Sequence, residues 1–136
     1  MEKIAFTTKN GLDIFMFIEK SFGKAYYASI YSAVDSGKQN RLLFASYDLN
    51  NYDEPWNIYI GDIQVGKPKT SKGYGTIFMN YIIDLAKTNN VKFIHGKLGP
   101  ADLSDHEPRL LNFYRKFGFD IELEEDGKRG LIRLDL

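Results

Sequence analysis

The stretch that decides the fold runs from Trp56 to Leu85 and reads WNIYIGDIQVGKPKTSKGYGTIFMNYIIDL. Its first ten residues, 56–65, alternate in a way that is typical of a β-strand, with Trp56, Ile58 and Ile60 on one face. From Tyr74 onward the apolar residues recur at helical spacing instead. The stretch therefore predicts a strand, a basic loop and an amphipathic helix, in that order.

The loop between this strand and this helix has the composition of an anion site. Glycines such as Gly73 and Gly75 let a backbone approach a ligand closely, and the first N–H groups of a helix have no acceptor inside the helix. Lys67, Lys69 and Lys72 would add positive charge there. The Walker and dinucleotide glycine patterns are both absent. Taken alone, the two glycines are equally consistent with a tight turn that serves packing.

Composition narrows the class of protein. A chain of 136 residues with 43% hydrophobic side chains predicts a single globular domain over 1–136. Its 18 basic and 18 acidic side chains cancel, so no overall field would attract nucleic acid or an anionic membrane. The absence of cysteine excludes a thiol nucleophile, and two histidines are too few to predict a metal site. The polar first residues and the lack of a long apolar span predict a cytoplasmic protein.

The remaining segments predict an α/β (α+β) fold. Helix is the alternative for 12–20, although the adjacent Asn10-Gly11 turn signal favours a strand. We expect a mixed, mostly antiparallel central sheet of about six to seven strands with helices packed on it. The first half, 1–55, is strand-rich. The strand segments are 3–6, 12–20, 25–34, 41–49, 56–65, 91–98, 119–126 and 130–136, and the helices begin near Tyr74 and span roughly 109–117.

Two motifs carry a resemblance to a known family. Residues 58–83 resemble motif A of the GCN5-related N-acetyltransferase (GNAT) superfamily, and NFYRKFGF, 112–119, resembles its motif B. The pyrophosphate loop of the family reads Gln or Arg, two residues of any kind, Gly, any residue, then Gly or Ala. TSKGYG, 70–75, matches that pattern except at Thr70, which departs from the usual first residue.

The resemblance implies transfer of an acetyl group from acetyl-CoA to a primary amine by direct attack, without a metal. The acceptor would be a small molecule or a protein, and neither nucleic acid nor a membrane is expected as a partner. The family has two helices near the acceptor site that 1–55 lacks, so a second subunit could complete the site in a homodimer. The residues that the resemblance assigns to the cosubstrate are Ile63, Gln64, Val65, Lys72, Gly73, Tyr74, Gly75 and Thr76.

Catalytic residues are less well defined by the motifs. The resemblance assigns the general acid to Tyr114, and the plainer interpretation is an aromatic core residue between Phe113 and Phe117. Asp62 and His95 are candidates for the base, the second because an imidazole has a suitable intrinsic pKa, and each could instead be a solvated or structural side chain. His106 could face the amine substrate or could be a plain surface residue. A catalytically silent member that binds CoA or a partner is the alternative function.

Overall fold

The computed structural model of the protein describes residues 2–7, 11, 13–21, 23, 25–32, 41–50, 55–65, 73–100, 103 and 107–136. Eight strands form a mixed sheet in the order β1-β2-β3-β4-β5-β6-β8-β7. Every strand-like segment of the sequence joins this sheet, including the short ones at both edges, so the count exceeds the predicted six to seven. The strands are β1 (Glu2–Thr7), β2 (Asp13–Lys20), β3 (Ala25–Ser32), β4 (Leu43–Asn50), β5 (Asn57–Val65), β6 (Phe93–Leu98), β7 (Asp120–Leu123) and β8 (Gly130–Asp135), and the helices are α1 (Tyr74–Thr88) and α2 (Glu107–Lys116).

The chain divides into two compact units, of which the first comprises 1–49 and 61–85. In it β1 to β4 follow one another as an antiparallel meander, with Ile4 opposite Met16 and Ala28 opposite Ala45. The period-two pattern of β2 decides its conformation, because Ile14, Met16 and Ile18 are buried while the alternate positions are not. The strand prediction for 12–20 is therefore confirmed over β2.

The part of α1 within the first unit covers one face of that meander. Its buried residues, Phe78, Met79 and Ile82, recur at helical spacing as the sequence predicts. The ring of Tyr47 on β4 lies 6.2 Å from that of Phe78 and 6.5 Å from that of Tyr81. These contacts place the apolar stripe of the helix against the side of the sheet that carries Tyr47.

A short chain of hydroxyl groups ties α1 to β1 and β4. The buried Tyr47 hydroxyl donates to Tyr81, whose hydroxyl donates to Glu2 Oε1 at 3.3 Å. Burial raises the pKa of Tyr47 above its ordinary value, and the hydrogen bond to Tyr81 acts in the same direction. The protonated phenol is thus the form that the folded state favours.

Replacing Tyr47 by phenylalanine should lower the free energy of unfolding by about 1 kcal/mol, because the Tyr81 oxygen loses its donor while the ring packing is retained. Urea unfolding should show a lower midpoint with an unchanged slope. Tyr27→Phe is the matched control, since Tyr27 is 37% exposed and stacks on Phe44. Equal midpoints for the two variants would contradict the role given to the hydroxyl chain.

The second unit comprises 50–60 and 86–136. In it the first part of β5 pairs in parallel with β6, and β8 pairs antiparallel with both β6 and β7. Gly96 on β6 leaves little room for a side chain, because a Cβ atom there would lie 3.0 Å from the carbonyl oxygen of Ile60 on β5. The register places Asn57 opposite Phe93 and Tyr59 opposite His95, on the same face of the sheet.

Helix α2 ends at Lys116, close to the predicted end near 117, and a glycine follows. Gly118 has a φ of 92°, a left-handed conformation that favours glycine, and its N–H donates to the carbonyl of Arg115 at 2.9 Å. The next N–H, of Phe119, donates to the carbonyl of Tyr114 at 3.2 Å. This ending returns the chain to the sheet at β7.

Strand β7 forms one edge of the sheet and has only four residues. Asp120 and Glu122 on it are exposed, and Glu124, Glu125 and Asp126 follow in the turn to β8. A short, charged edge strand is poorly suited to pairing with another chain. Among the described residues, no helix is both long and apolar enough to cross a membrane.

Candidate functional site

The predicted anion site lies in the first unit, at the start of α1. Gly73 precedes the first helical residue, is exposed, and has a φ of 86°. A Cβ atom at this position would meet nothing within 4 Å, so the backbone faces open space. The carbonyl of Gly73 accepts the first bond of the helix, from the N–H of Ile77 at 3.1 Å. The N–H groups of Tyr74 and Gly75 therefore come before the first donor of the helical ladder.

Electrostatics at this helix start favour an anion. No acidic residue occupies the first turn of α1, so none of the side chains of that turn competes with a ligand for the positive end of the helix dipole. Tyr74 is 6% exposed as a whole residue and belongs to the core, so Gly73 and Gly75 are the more open backbone positions of this helix start. Lys67, Lys69 and Lys72 lie outside the described residues.

The second part of β5 also belongs to the first unit. Asp62 and Gln64 are exposed, and the Gln64 amide nitrogen donates to Asp62 Oδ2 at 2.7 Å. Ile63 between them is half-buried, and Val65 ends the strand. The absence of a side chain at Gly61 allows Ser46 to approach, since a Cβ atom there would overlap the Ser46 hydroxyl. Asp62 is thus a solvated carboxylate that already accepts a hydrogen bond.

His95 lies on β6 in the second unit and is surrounded by aromatic rings. Its Nε2 is 2.9 Å from Asn57 Oδ1, and the rings of Tyr59 and Phe93 lie 5.2 and 5.1 Å from its own. The guanidinium of Arg133 lies 3.9 Å above the Phe93 ring. Burial lowers the pKa of His95, and the positive charge of Arg133 lowers it further. The imidazole is therefore held in its neutral form at neutral pH.

Sequence reasoning missed Asn57. It is the buried polar residue of the described core, 7% exposed, on a strand whose neighbouring position is the apolar Ile58. The alternation of β5 indicates that Asn57 faces away from Ile58 and Ile60. This is the one feature of the sequence that could have drawn attention to Asn57. Its contact with His95 depends on the register between β5 and β6, and no pattern within either strand reveals that register.

Tyr114 lies in the second unit, on α2. Its side chain is 5% exposed, and its ring makes edge contacts with those of Phe113 and Phe119 at 5.4 and 5.5 Å. Burial among rings suits the core interpretation, while the position in NFYRKFGF suits the acid. Asp62, Ile63, Gln64, Val65 and the helix start therefore lie in the first unit, whereas His95 and Tyr114 lie in the second. His106 lies outside the described residues.

Comparison with known proteins identifies the family. Residues 14–119 match the acetyltransferase (GNAT) family. The chain is a member of the GNAT family. The matched residues include the start of α1, strand β6 with His95, and Tyr114. Among the described residues of this GNAT protein, no group of three or more His, Asp or Glu side chains could hold a metal ion.

A curated relative and several solved structures are similar to this GNAT chain. The uncharacterized protein YocC of Bacillus subtilis (strain 168) is 36% identical over 76 residues, which is 56% of this chain and 44% of YocC, so the match spans less than half of that relative. The GNAT domain of S. lividans PAT has a TM-score of 0.70 at 8% identity, covering 98% of this chain and 97% of that one.

Two further solved structures have the same fold. A Bacillus subtilis acetyltransferase in complex with CoA has a TM-score of 0.62 at 16% identity, covering 89% of this chain and 97% of that chain. Arabidopsis thaliana Naa50, in complex with the bisubstrate analogue CoA-Ac-MVNAL, has a TM-score of 0.62 at 18% identity, with coverages of 81% and 72%. At these identities the likeness establishes the fold, as the sequence predicted.

Proposed function

We propose that this GNAT protein transfers an acetyl group from acetyl-CoA to a primary amine by direct attack. The observation that carries the proposal is the helix start, where Gly73 faces open space at the positive end of α1. The residues fit a pyrophosphate, because a bare backbone and the N–H groups that precede the first donor of a helix are what a phosphate requires. The CoA complexes of its structural relatives support the same ligand class.

The residues that would hold CoA follow from this arrangement. Gly73, Tyr74, Gly75 and Thr76 would offer backbone N–H groups to the phosphates, together with Lys72. Ile63, Gln64 and Val65 would offer strand backbone to the extended pantetheine arm. Acetyl-CoA supplies an acyl group activated as a thioester, and no covalent bond to the protein is needed.

Two proton transfers remain for the side chains. The acceptor is an ammonium ion at neutral pH and must lose one proton before its nitrogen can attack the acetyl carbon; neutral His95 is the base that we favour over the solvated Asp62. The attacking nitrogen loses a second proton to solvent as the amide forms. The C–S bond then breaks, and the sulfur leaves as a thiolate that takes a proton from the Tyr114 hydroxyl. Overall one N–C bond replaces one S–C bond, and of the two protons that the ammonium acceptor loses, one ends on the thiol and one in solvent. Transfer of a proton from the His95 imidazolium to the Tyr114 phenolate, through solvent, returns both side chains to their starting states.

CoA binding is the first test of this proposal. At 100 times its dissociation constant, CoA should raise the free energy of unfolding by about 2.7 kcal/mol, because a ligand of the native state stabilises it by mass action. A thermal-shift series over CoA concentration measures this increase. AMP, which has a phosphate but no pyrophosphate, is the control and should give a much smaller shift. Equal shifts with both ligands would exclude the pyrophosphate site.

Turnover is the second test. Thiol release from acetyl-CoA should depend on an added amine, and a panel of small amines and of peptides with a free N-terminus or lysine would identify the acceptor class. The burial of Tyr114 favours one alternative, a silent member that binds CoA without turnover. CoA binding without thiol release for any amine would establish that alternative. Light scattering would test the predicted homodimer.

A further inference from the structure

We propose that Asn57 is a positioning residue that fixes the tautomer of His95, so that Nδ1 is the atom that accepts a proton from the acceptor amine. The inference rests on the proposed function for its catalytic meaning. Its structural content, the position of the ring proton, can be measured whether or not the protein is active. Asn57 acts through the imidazole and is not itself a catalytic residue.

The orientation of the Asn57 amide follows from its two partners. Its Nδ2 donates to the carbonyl oxygen of Pro55 at 3.4 Å, and a carbonyl oxygen can only accept. Oδ1 is therefore the atom that faces the histidine ring, 2.9 Å from Nε2. Because an amide oxygen accepts and cannot donate, Nε2 must carry the proton. The neutral ring then has its lone pair on Nδ1.

The second nitrogen, Nδ1, lies on the edge of the ring away from Asn57. Within the described part of the chain, every buried side-chain nitrogen or oxygen has a hydrogen-bond partner. The ring of His95 bonds Asn57 through Nε2, and the residue is half-buried rather than enclosed, so approach of an amine to Nδ1 from solvent is part of the proposal. The arrangement presents an oriented lone pair to an incoming amine, while the other side of the ring is tied to the sheet.

Protonation would not disturb this arrangement. When Nδ1 takes a proton, the bond from Nε2–H to Asn57 Oδ1 persists, and the charged ring still donates to the same acceptor. A fixed ring needs no reorientation between the two states, which is the property required of a positioned base. Asn57 is 7% exposed, so the acceptor side of that bond is largely buried.

Other charged groups on this face also act on His95. Arg133 on β8 lies directly opposite it in the register, and its Nε donates to Asp135 Oδ1 at 2.8 Å. Tyr59 faces the ring from β5, and Lys97 lies two residues along β6 on the same face. Asp120 on β7 is opposite Arg133. These groups are unchanged in an Asn57 variant, so a change in His95 titration reports on the amide.

Nitrogen-15 NMR of the imidazole would test the proposal directly. We expect the wild-type protein, above the pH at which His95 titrates, to show Nε2 protonated and Nδ1 unprotonated. Asn57→Leu, which removes the acceptor, should shift both resonances toward the values of a mixed population. A wild-type ring with its proton on Nδ1 would overturn the inference.

A second substitution at Asn57 keeps a hydrogen-bond acceptor for His95 Nε2 and adds a negative charge. Asn57→Asp should retain the Nε2–H tautomer and move the His95 titration upward by about one pH unit, because a carboxylate within hydrogen-bond distance favours the imidazolium. Asn80→Asp, the same chemical change at an exposed position of α1, is the matched control and should leave the titration in place. An unchanged titration in Asn57→Asp would also overturn the inference, even if Asn57→Leu fails to fold.

The pH profile of kcat/KM tests whether His95 acts as the base. The acidic limb of the kcat/KM profile reports the base of the free enzyme, so it should move upward with Asn57→Asp by the same amount as the NMR titration. An acidic limb that stays in place while the titration moves would show that His95 is not the base. A protein that turns over no amine but shows the Nε2–H tautomer would refute the proposed function and leave the positioning role intact.

Discussion

Replacing Gly73 by glutamate should weaken CoA binding by about 100-fold or more, measured by calorimetry, since hydrogen bonds to a charged ligand contribute about 1.5–3 kcal/mol each. The new side chain would occupy the open space beside Gly73, where no atom lies within 4 Å of the Cβ position. Its carboxylate would itself bind the positive end of α1, which no acidic side chain in the first turn now occupies. The variant thus supplies an internal competitor for the phosphates.

Backbone strain must be separated from this competition. Gly73 has a φ of 86°, where a side chain costs about 1–2 kcal/mol. Gly127, in the turn between β7 and β8, has a φ of 70° and also has nothing within 4 Å of its Cβ position. Gly127→Glu should therefore lose similar stability and keep full CoA affinity. If Gly73→Glu also keeps full affinity for CoA, the proposed phosphate site at the start of α1 is wrong.

Replacing Tyr114 by phenylalanine should lower kcat by about 10²- to 10³-fold, the usual contribution of a positioned acid. The phenyl ring fills the same space against Phe113 and Phe119, so CoA affinity should stay within a factor of about two to three and folding should persist. Single-turnover kinetics, with the enzyme in excess over acetyl-CoA and with saturating amine, would measure the loss in the chemical step itself.

Tyr47→Phe provides the control for this measurement. This substitution also removes a buried phenol hydroxyl, namely the one that donates to Tyr81 in the first unit. It should therefore reduce stability and leave kcat unchanged. If Tyr114→Phe behaves in the same way, with reduced stability and full activity, then Tyr114 is the core residue that its 5% exposure suggests.

Much of the fold was predictable because its signals are local. The alternation within β2 and the helical spacing from Tyr74 are properties of neighbouring residues, and so is the glycine that ends α2. The start of α1 was predictable for the same reason, since a glycine before a helix needs no distant partner to face open space. These are the features that the structure confirms.

The features that escaped prediction depend on contacts between distant residues. The bond between Asn57 and His95 joins positions 38 residues apart, and the bond between Tyr81 and Glu2 joins positions 79 apart. Their existence follows from strand register and from how a helix rotates on a sheet, which no single segment encodes. The lysines of the loop, Lys67, Lys69 and Lys72, stay a prediction because they lie outside the described residues.

The acidic edge of the sheet has a practical consequence for handling the protein. Copies that approach through β7 bring Asp120 and Glu122 against the same residues of a neighbour, and this repulsion acts over the Debye length. That length falls from about 10 Å at 0.1 M salt to about 3 Å at 1 M. Added salt should therefore weaken the repulsion between two β7 edges, while the balanced charges over the whole chain give no such protection elsewhere on the surface.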